Sequence, residues 1–268
     1  MSYGNDFVLT LFTNDIELAR RADEAGINRI GLDLEMLGKA VRQQHLNTWI
    51  SDHEENQLPA LRQVLKKSKL FVRTNPPHPR LDEEIDRFVE AGAEVIMLPM
   101  FRTTEDAANF IEYIDGRAEV SLLVETAAAA VRLEEIVQLK GIDEIHIGLN
   151  DLHLDIGLKS HFELLRSQFM NNLSDIVHNA GIPFGFGGVG RVKDARLPIP
   201  SDLVYAQYAR LRADRALVSR VFTSPDYTQL DLTQEVAAFR DRMDEWNECT
   251  EQDWIKARDL LWRAAEAL

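Results

Sequence analysis

The chain has 268 residues, 45% of them hydrophobic and 28% charged, which is enough apolar material for a large buried core. Its formal net charge of −14 argues against a nucleic-acid partner, because an acidic surface repels phosphate backbones. An anionic substrate must therefore be received by a local group of arginines or lysines. The single cysteine cannot form an internal disulfide.

The first residues and the lengths of the apolar runs indicate where in the cell the protein is expected. The first residues lack the basic start and long apolar run of a signal peptide, and no segment reaches transmembrane length. We therefore expect a cytoplasmic protein that has no membrane partner.

Eight short apolar runs alternate with amphipathic, helix-like stretches. The candidate strands are Phe7–Phe12, Arg29–Leu34, Leu70–Thr74, Val95–Met100, Val120–Val124, Glu144–Gly148, Pro183–Phe186 and Ala216–Val221. Near-continuous apolar strands that alternate with helices are typical of a parallel sheet covered on both faces. The pattern predicts the α/β class and a (β/α)₈ TIM barrel. The alternative is an open, doubly wound sheet, although no phosphate-binding glycine fingerprint opens the first unit.

The pattern changes after Phe222. We assign residues 1–222 to a TIM-barrel catalytic domain and residues 223–268 to a C-terminal helical extension. The extension contains Trp246, Trp254 and Trp262 and is too apolar to stand alone in water. It is expected to pack on the barrel or on a neighbouring subunit, which would make the protein a homo-oligomer.

Two acidic residues follow neighbouring candidate strands. Glu125 comes directly after Val120–Val124, and Asp151 follows the strand that ends at Gly148. The carboxyl ends of barrel strands meet at one rim, so these side chains are expected to converge there. Such a pair would hold a divalent cation or a charged substrate. The alternative is that each carboxylate only caps the helix that follows it.

Two polar residues near Asp151 have alternative interpretations. Asn150 could orient Asp151 or contact a substrate, but an asparagine beside a turn is often only a turn residue. His146 alternates with apolar neighbours within a strand, so we expect it to face a helix or the core rather than a metal.

A glycine-rich segment follows the seventh candidate strand. It runs from Phe184 to Arg191 and includes Gly188. Its backbone amides and Arg191 could cradle an anion, with Arg220 joining them from the eighth strand. In that case the substrate carries a phosphate or a second carboxylate. The alternative is that the glycines only permit a tight turn.

Four strand-end motifs occur in a fixed order. They are Val72-Arg73, Met97-Leu98-Pro99-Met100, Leu123-Val124-Glu125-Thr126 and Ile147-Gly148-Leu149-Asn150-Asp151-Leu152. Together they resemble the HpcH/HpaI aldolase and citrate lyase beta-chain family of the phosphoenolpyruvate/pyruvate TIM-barrel superfamily. The similarity covers roughly the barrel part of the chain. It implies a class II aldolase, a metal-dependent lyase that makes or breaks a carbon-carbon bond next to a pyruvate-like or acyl enolate.

The resemblance also implies roles for three residues. Glu125 and Asp151 match the family's two protein ligands for Mg²⁺ or Mn²⁺, and Arg73 matches its substrate-binding arginine. The residue types suit this chemistry, since hard divalent ions take oxygen ligands and a 2-oxo acid can fill further positions. The planar, permanently charged fork of Arg73 would stabilise a developing oxyanion. The alternative for Arg73 is that it only pairs with an acid of the barrel.

The second strand departs from the aldolase branch of the family. That branch carries an acidic pair followed by a histidine, whereas this chain reads Asp33-Leu34-Glu35-Met36, and methionine cannot transfer a proton. The aldolase branch also often has a glutamine where this chain has Leu123. Both features are closer to the citrate lyase beta-chain branch, which acts on acyl thioesters, but no coenzyme A signature is evident.

The identity of the acid-base group is therefore open. Asp33 and Glu35 lie at the expected rim, where crowding by other acids can raise a carboxyl pKa. His45 and His53 lie in a long loop after the second strand and could reach the site, since imidazole titrates near neutrality. The alternatives are that the histidines are surface residues and that Glu35 only orients a bound water.

The sequence thus predicts a metal-dependent carbon-carbon lyase that acts on a small anionic oxo acid. One alternative is a catalytically impaired barrel that serves as a binding or assembly subunit, because the second strand lacks the histidine. The other is phosphoenolpyruvate-type chemistry at phosphorus, which would require the glycine-rich segment to bind phosphate.

Overall fold

A computed structural model of the chain describes residues 2–37, 52–224 and 226–267. Eight parallel strands form a closed barrel in sequence order, and β1 (Val8–Phe12) pairs with β8 (Arg215–Val218). Closure confirms the (β/α)₈ TIM barrel and excludes the open, doubly wound sheet. The carboxyl ends of all eight strands therefore surround one rim.

The strands lie close to their predicted positions. The remaining six are β2 Arg29–Asp33, β3 Lys69–Arg73, β4 Val95–Leu98, β5 Glu119–Val124, β6 Glu144–Ile147 and β7 Phe184–Val189. The main difference is β7, which continues beyond Phe186 through the glycines that were expected to form a turn. A register shift between Gly185 and Gly188 accommodates the glycines in the strand, where Gly187 has a φ of 49°.

Helices connect the strands and continue beyond the barrel. They are α1 Tyr3–Asp6, α2 Ile16–Ala25, α3 Leu58–Val64, α4 Leu81–Glu90, α5 Thr104–Ile114, α6 Ala127–Val131, α7 Leu133–Ile136, α8 Leu149–Asp155, α9 His161–Arg166, α10 Gln168–Asn179, α11 Ser201–Arg210, α12 Arg220–Thr223, α13 Leu232–Asn247 and α14 Glu251–Glu266. Short 3₁₀ turns occupy Glu55–Gln57 and Tyr227–Gln229. Among the residues described, no helix has both the length and the apolar character needed to cross a membrane.

Polar side chains fix where several helices begin and end. The Asp15 carboxylate caps α2 by accepting the N–H groups of Glu17 and Leu18 at 2.9 and 3.0 Å. At the other end, Gly26 adopts the left-handed conformation with a φ of 90°. These local signals fix both ends of α2, which connects β1 to β2.

The C-terminal helices pack against the barrel. Phe239 of α13 is fully buried, and its ring lies 5.2 Å from Tyr205 of α11 and 5.3 Å from Phe7. Arg240 joins α13 to the start of the chain by donating to the carbonyls of Gly4 at 2.7 Å and Gly26 at 2.9 Å. The extension thus covers the outer helices of its own barrel, and assembly into an oligomer stays a prediction.

The barrel interior has an aromatic layer and a charged layer. Phe71, Met97 and Leu123 are buried together against Phe12, whose ring lies 5.5 Å from that of Phe71. Toward the amino ends of the strands, the fully buried Glu144 contacts Arg29 at 2.5 Å and also pairs with Arg215. His146, also buried, has its Nε2 3.3 Å from Glu144 Oε1, so it lies in the core.

The Glu144 carboxylate stays ionised despite its burial. Burial opposes the charge, but His146, Arg29 and Arg215 outweigh it and hold the pKa of Glu144 well below its usual value. A depressed pKa means that stabilisation is fully present above the unfolded-state pKa, about 4.3, and is lost as the pH falls toward the folded-state value. The contacts of Glu144 therefore make the free energy of unfolding depend on pH in the acid range.

We expect Glu144→Gln to lower the free energy of unfolding at pH 7 by about 3 kcal/mol, because it removes the fully buried carboxylate that Arg29 and Arg215 share and leaves them only their more exposed partners, Glu119 and Asp214. Urea unfolding at pH 7 and at pH 3 measures the effect. The difference in unfolding free energy between wild type and variant should be smaller at pH 3, whereas Glu134→Gln, on the exposed surface of α7, should match wild type at both. An equal gap at the two pH values would contradict the assigned charge.

Candidate functional site

The side chains at the carboxyl end of the barrel form one buried, charged group. Arg73, at the end of β3, lies beside Asp33 of β2, because these two residues are partners in the strand register. The guanidinium donates two parallel hydrogen bonds to this carboxylate, from Nε to Oδ1 at 2.8 Å and from Nη2 to Oδ2 at 2.7 Å. Glu35 Oε2 lies 3.6 Å from Arg73 Nη2. Arg73 therefore pairs with a barrel acid and also faces a second one.

Charge and aromatic packing fix the position of Arg73. Burial disfavours its charge, but the carboxylates of Asp33, Glu35 and Glu125 raise the pKa of Arg73 above its usual value. The guanidinium carbon lies 5.4 Å from the ring centroid of Phe12, so the fork rests on the top of the barrel's aromatic layer. Arg73 is thus a permanent cation held in a fixed orientation.

Glu125 lies opposite this pair and is almost fully buried. Its Oε1 accepts the N–H of Met100 at 3.0 Å, while no described residue donates a hydrogen bond to Oε2. Burial and the neighbouring charge of Asp151 raise the pKa of Glu125 well above its usual value, against the opposing effect of Arg73. Glu125 therefore has one oxygen, Oε2, that accepts no hydrogen bond from the described residues.

Asp151 comes to the same rim from the next strand. It lies in the first turn of α8, whose N-terminal cap is Gly148, and is partly exposed. Thr126, not Glu125, caps the helix after β5 by accepting the N–H of Ala129 at 3.1 Å. The alternative in which Glu125 and Asp151 are the N-caps of these helices is therefore wrong.

Two backbone features that the sequence analysis did not identify place Glu125. Gly148 hydrogen-bonds to Val124 across the β5–β6 pair, at 3.0 Å, and so lies directly beside Glu125. A Cβ at position 148 would lie 2.5 Å from Glu125 Cβ and 2.6 Å from Oε2. Met100 adopts a left-handed φ of 54°, unusual for a residue with a side chain, and so holds its N–H toward the carboxylate. The glycine just before Leu149-Asn150-Asp151 was the sequence signal that could have indicated the close approach at Gly148.

The loop after β2 is anchored by another group that the sequence analysis did not identify. The Asn75 side-chain oxygen, Oδ1, accepts the backbone N–H groups of Met36 and Leu37 at 2.8 and 3.0 Å. Glu84 accepts from the Asn75 backbone at 2.9 Å, and its other oxygen lies 2.8 Å from His78 Nε2. This chain of contacts holds the backbone that carries Glu35 at the rim.

Among the acid-base candidates, His53 reaches the end of β2. Its Nδ1 accepts the backbone N–H of Asp33 at 2.9 Å, so that nitrogen carries no proton and Nε2 carries the hydrogen in the neutral ring. Asp33 and Glu35 are both buried beside Arg73. His45 lies outside the described residues. The structure thus brings Asp33, Glu35 and His53 together, and their catalytic roles stay predictions.

The other predicted substrate-binding residues lie apart from this group or at its edge. Asn150 is exposed on α8. Arg191 is buried and paired with Asp194 at 2.9 Å, and Gly188 lies within β7. The charge of Arg220, expected beside Arg191, instead interacts with Asp33 and Arg73. The anion cradle of Gly188 and Arg191 stays a prediction.

The donor set at the rim suits a hard cation. Within residues 2–37, 52–224 and 226–267, no cluster of three or more His, Cys, Asp and Glu side chains is arranged to hold a metal ion. Glu125 and Asp151 provide two carboxylates, the number that Mg²⁺ commonly takes from a protein while water and substrate complete its coordination. The unbonded oxygen of buried Glu125 is the feature that a cation would satisfy.

Fold and site together define a TIM-barrel protein with a carboxylate-rich site at the carboxyl rim. The family model for HpcH/HpaI aldolase/citrate lyase matches residues 30–184, and the chain belongs to this family. The resemblance seen in the strand-end motifs is thereby confirmed. The family consists of aldolases and citrate lyases, enzymes of carbon-carbon bond chemistry, and is generally dependent on a divalent metal.

A hydroxypyruvate/pyruvate aldolase from Rhizorhabdus wittichii is 28% identical over 160 residues, 46% of this chain. The matched part spans 61% of that aldolase.

Solved structures share the fold. An HpcH/HpaI aldolase/citrate lyase family protein from Burkholderia cenocepacia has a TM-score of 0.63 at 17% identity, over 90% of this chain and 95% of that one. The HpcH/HpaI aldolase from Desulfitobacterium hafniense has a TM-score of 0.59 and the citrate synthase SbnG one of 0.57, each at 15% identity over 80% of this chain and 86% of the other.

The close approach at Gly148 leads to a stability prediction. Gly148→Ala should lower the free energy of unfolding by about 1 to 3 kcal/mol, because the new methyl group forces Glu125 or the β5–β6 backbone to move. Chemical denaturation measures this loss. The matched control is Gly188→Ala, whose Cβ would meet Ser219 at an ordinary 3.4 Å and should have a smaller effect. Equal effects of the two substitutions would refute the steric argument.

Proposed function

We propose that the chain is a metal-dependent carbon-carbon lyase of the aldolase type that acts on a small 2-oxo acid. The observation that carries the proposal is the buried Glu125, with one unbonded oxygen beside the charge of Asp151 and opposite the Arg73 fork. Membership of the aldolase and citrate lyase family supports it. Pyruvate is the first donor to test, since the 28% identical relative is named for pyruvate and hydroxypyruvate.

Glu125 and Asp151 would hold the divalent cation, Mg²⁺ or Mn²⁺. When bound, the cation supplies Lewis-acid polarisation of the substrate carbonyl. Glu125 directly follows β5 and Asp151 lies in the first turn of the helix after β6, and Gly148 keeps the space next to Glu125 free of a side chain. The two protein ligands leave room for a small oxo acid at the same centre.

Arg73 would bind the substrate's oxygen atoms. Its Nε and Nη2 donate to Asp33, which fixes the plane of the guanidinium. The remaining N–H groups would donate to the substrate. A preorganised donor of this kind stabilises negative charge that develops on the substrate, since it needs no reorientation as the charge forms. Asp33 thus acts as a positioning residue for Arg73.

The proton transfer next to the carbonyl would be assigned to the acid-base candidates of the β2 end. His53 presents a neutral ring fixed through Nδ1, and Glu35 lies next to Arg73. Met36 follows Glu35 in place of the aldolase branch's histidine, so the proton must be moved by one of these groups or by water.

Removal of either proposed ligand tests the metal site. Glu125→Gln and Asp151→Asn should each abolish Mg²⁺-dependent exchange of pyruvate methyl protons with deuterated water, because each removes a charged ligand. Electron paramagnetic resonance titration with Mn²⁺ should show at least a tenfold weaker affinity in both variants. Glu134→Gln, which removes a charge from the exposed surface, is the matched control and should retain both properties.

Wild-type protein that catalyses no exchange and binds no Mn²⁺ would instead favour the binding or assembly subunit. Retained exchange in either ligand variant would contradict the assigned ligands. The two measurements therefore separate loss of metal from loss of chemistry.

The shape of the Arg73 fork is testable separately. Arg73→Lys keeps the charge but cannot make two parallel hydrogen bonds to Asp33, so the oxyanion donor loses its fixed orientation. We expect kcat for pyruvate exchange to fall roughly 10²-fold to 10³-fold, with Mn²⁺ affinity close to wild type. Wild-type kcat in this variant would show that Arg73 serves only the ion pair.

A further inference from the structure

A second charged region lies on the outside of the barrel, between the end of α9, the start of α10 and the last turns of α14. A cleft of about 390 Å³ is lined there by Arg166, Arg258, Trp262, Asn171, Gln168 and Glu163. We refer to it as the α9–α14 cleft. It is separate from the site at the barrel rim, and the proposed reaction uses none of these residues.

Two arginines, Arg166 and Arg258, line the α9–α14 cleft. Arg166 is exposed, and its guanidinium carbon lies 4.9 Å from the ring centroid of Trp262. Arg258 comes from α14 and contacts the neighbouring Asp259 at 3.0 Å. Side chains from two separate segments, 166 and 258, thus present positive charge to one cavity in a chain whose net charge is −14.

A third arginine lies directly behind the cleft wall. Arg210 Nη1 donates to the side-chain oxygen of Asn171 at 2.5 Å, its Nη2 to the carbonyl of Leu165 at 2.8 Å, and its Nε to Gln207 at 2.7 Å. All three acceptors are neutral, and among the described residues no carboxylate pairs with Arg210. Burial and the charge of Arg258 lower the pKa of Arg210 to about 10.

A largely buried guanidinium without an acid partner is unfavourable unless another negative charge compensates it. The acids near the cleft compensate it only in part. Glu163 lines the cavity and accepts the backbone N–H of Lys159 at 3.2 Å, and Asp259 is held by Arg258. The region keeps more positive than negative charge, and its open cavity is the place where a compensating anion fits.

We propose that the α9–α14 cleft is a binding site for a small, phosphate-bearing anion. Arginine forks match the geometry of phosphate oxygens, and the volume exceeds that of a single phosphate group. Trp262 offers an aromatic surface for an attached ring. Inorganic pyrophosphate represents the anionic part of such a ligand, and ADP represents the anionic part together with a ring.

Titration calorimetry with sodium pyrophosphate tests the site on the full chain. EDTA in the buffer keeps divalent ions from taking part. We expect saturable binding that weakens with ionic strength, and an affinity loss of about tenfold, or about 1.4 kcal/mol, in both Arg166→Ala and Arg258→Ala. Arg263→Ala removes an exposed positive charge from the same helix, α14, and should bind as wild type does.

Three results would overturn the proposal. One is the absence of saturable binding. Another is an equal loss in Arg263→Ala, which would indicate attraction by general charge rather than a site. The last is a combined result, in which wild type binds no pyrophosphate and Arg258→Ala changes the sedimentation coefficient. That result would identify the cleft as a contact with a second copy of the chain. Tighter binding of ADP than of pyrophosphate would support a role for Trp262.

Discussion

The rim of this barrel depends on one buried carboxylate. Glu125 is held by the N–H of a left-handed Met100 on one side and lies against the bare α-carbon of Gly148 on the other. Both contacts place an acidic oxygen in a region of low polarity next to a second acid, Asp151. Such an arrangement is costly for folding alone, since burial without compensation disfavours the charge. The position of this carboxylate at the carboxyl ends of the strands is consistent with the proposed cation site.

Much of the architecture follows from local sequence signals. Alternating apolar runs and capped helices placed all eight strands to within a few residues, because parallel strands buried on both faces leave a near-continuous apolar pattern. The strand ends were also predictable, so the sequence indicated that Glu125 and Asp151 follow neighbouring strands, β5 and β6, at one rim. Strand β7 was predicted too short, since Gly185 to Gly188 are typical of a turn and only the barrel's closed register keeps them in a strand.

The finer geometry of the site could not be predicted, because it depends on contacts between residues distant in sequence. No local pattern indicates that the Asn75 side chain accepts a hydrogen bond from the Met36 backbone. Nor does any local pattern indicate that position 148 must lack a side chain because Glu125 lies against it. Arg191 shows how a local contact can escape a pattern. A glycine-rich segment followed by arginine is typical of an anion cradle, which stays a prediction here, and the pattern did not indicate that Asp194, three residues later, lies 2.9 Å from Arg191 Nη2.

The barrel interior separates two ion networks that serve different purposes. Near the amino ends of the strands, Glu144 pairs with Arg29 and Arg215, which also pair with Glu119 and Asp214. Phe12 and Phe71 lie between this group and the Arg73–Asp33 pair. In a medium of low polarity, charges on one side of such a layer would otherwise act strongly on those at the other side. The acids near the amino ends of the strands pair with Arg29 and Arg215, so among the described residues Arg73 pairs only with acids of the rim. The division lets the lower charges stabilise the barrel while the rim keeps an excess of carboxylate oxygens, which is the condition for holding a cation there.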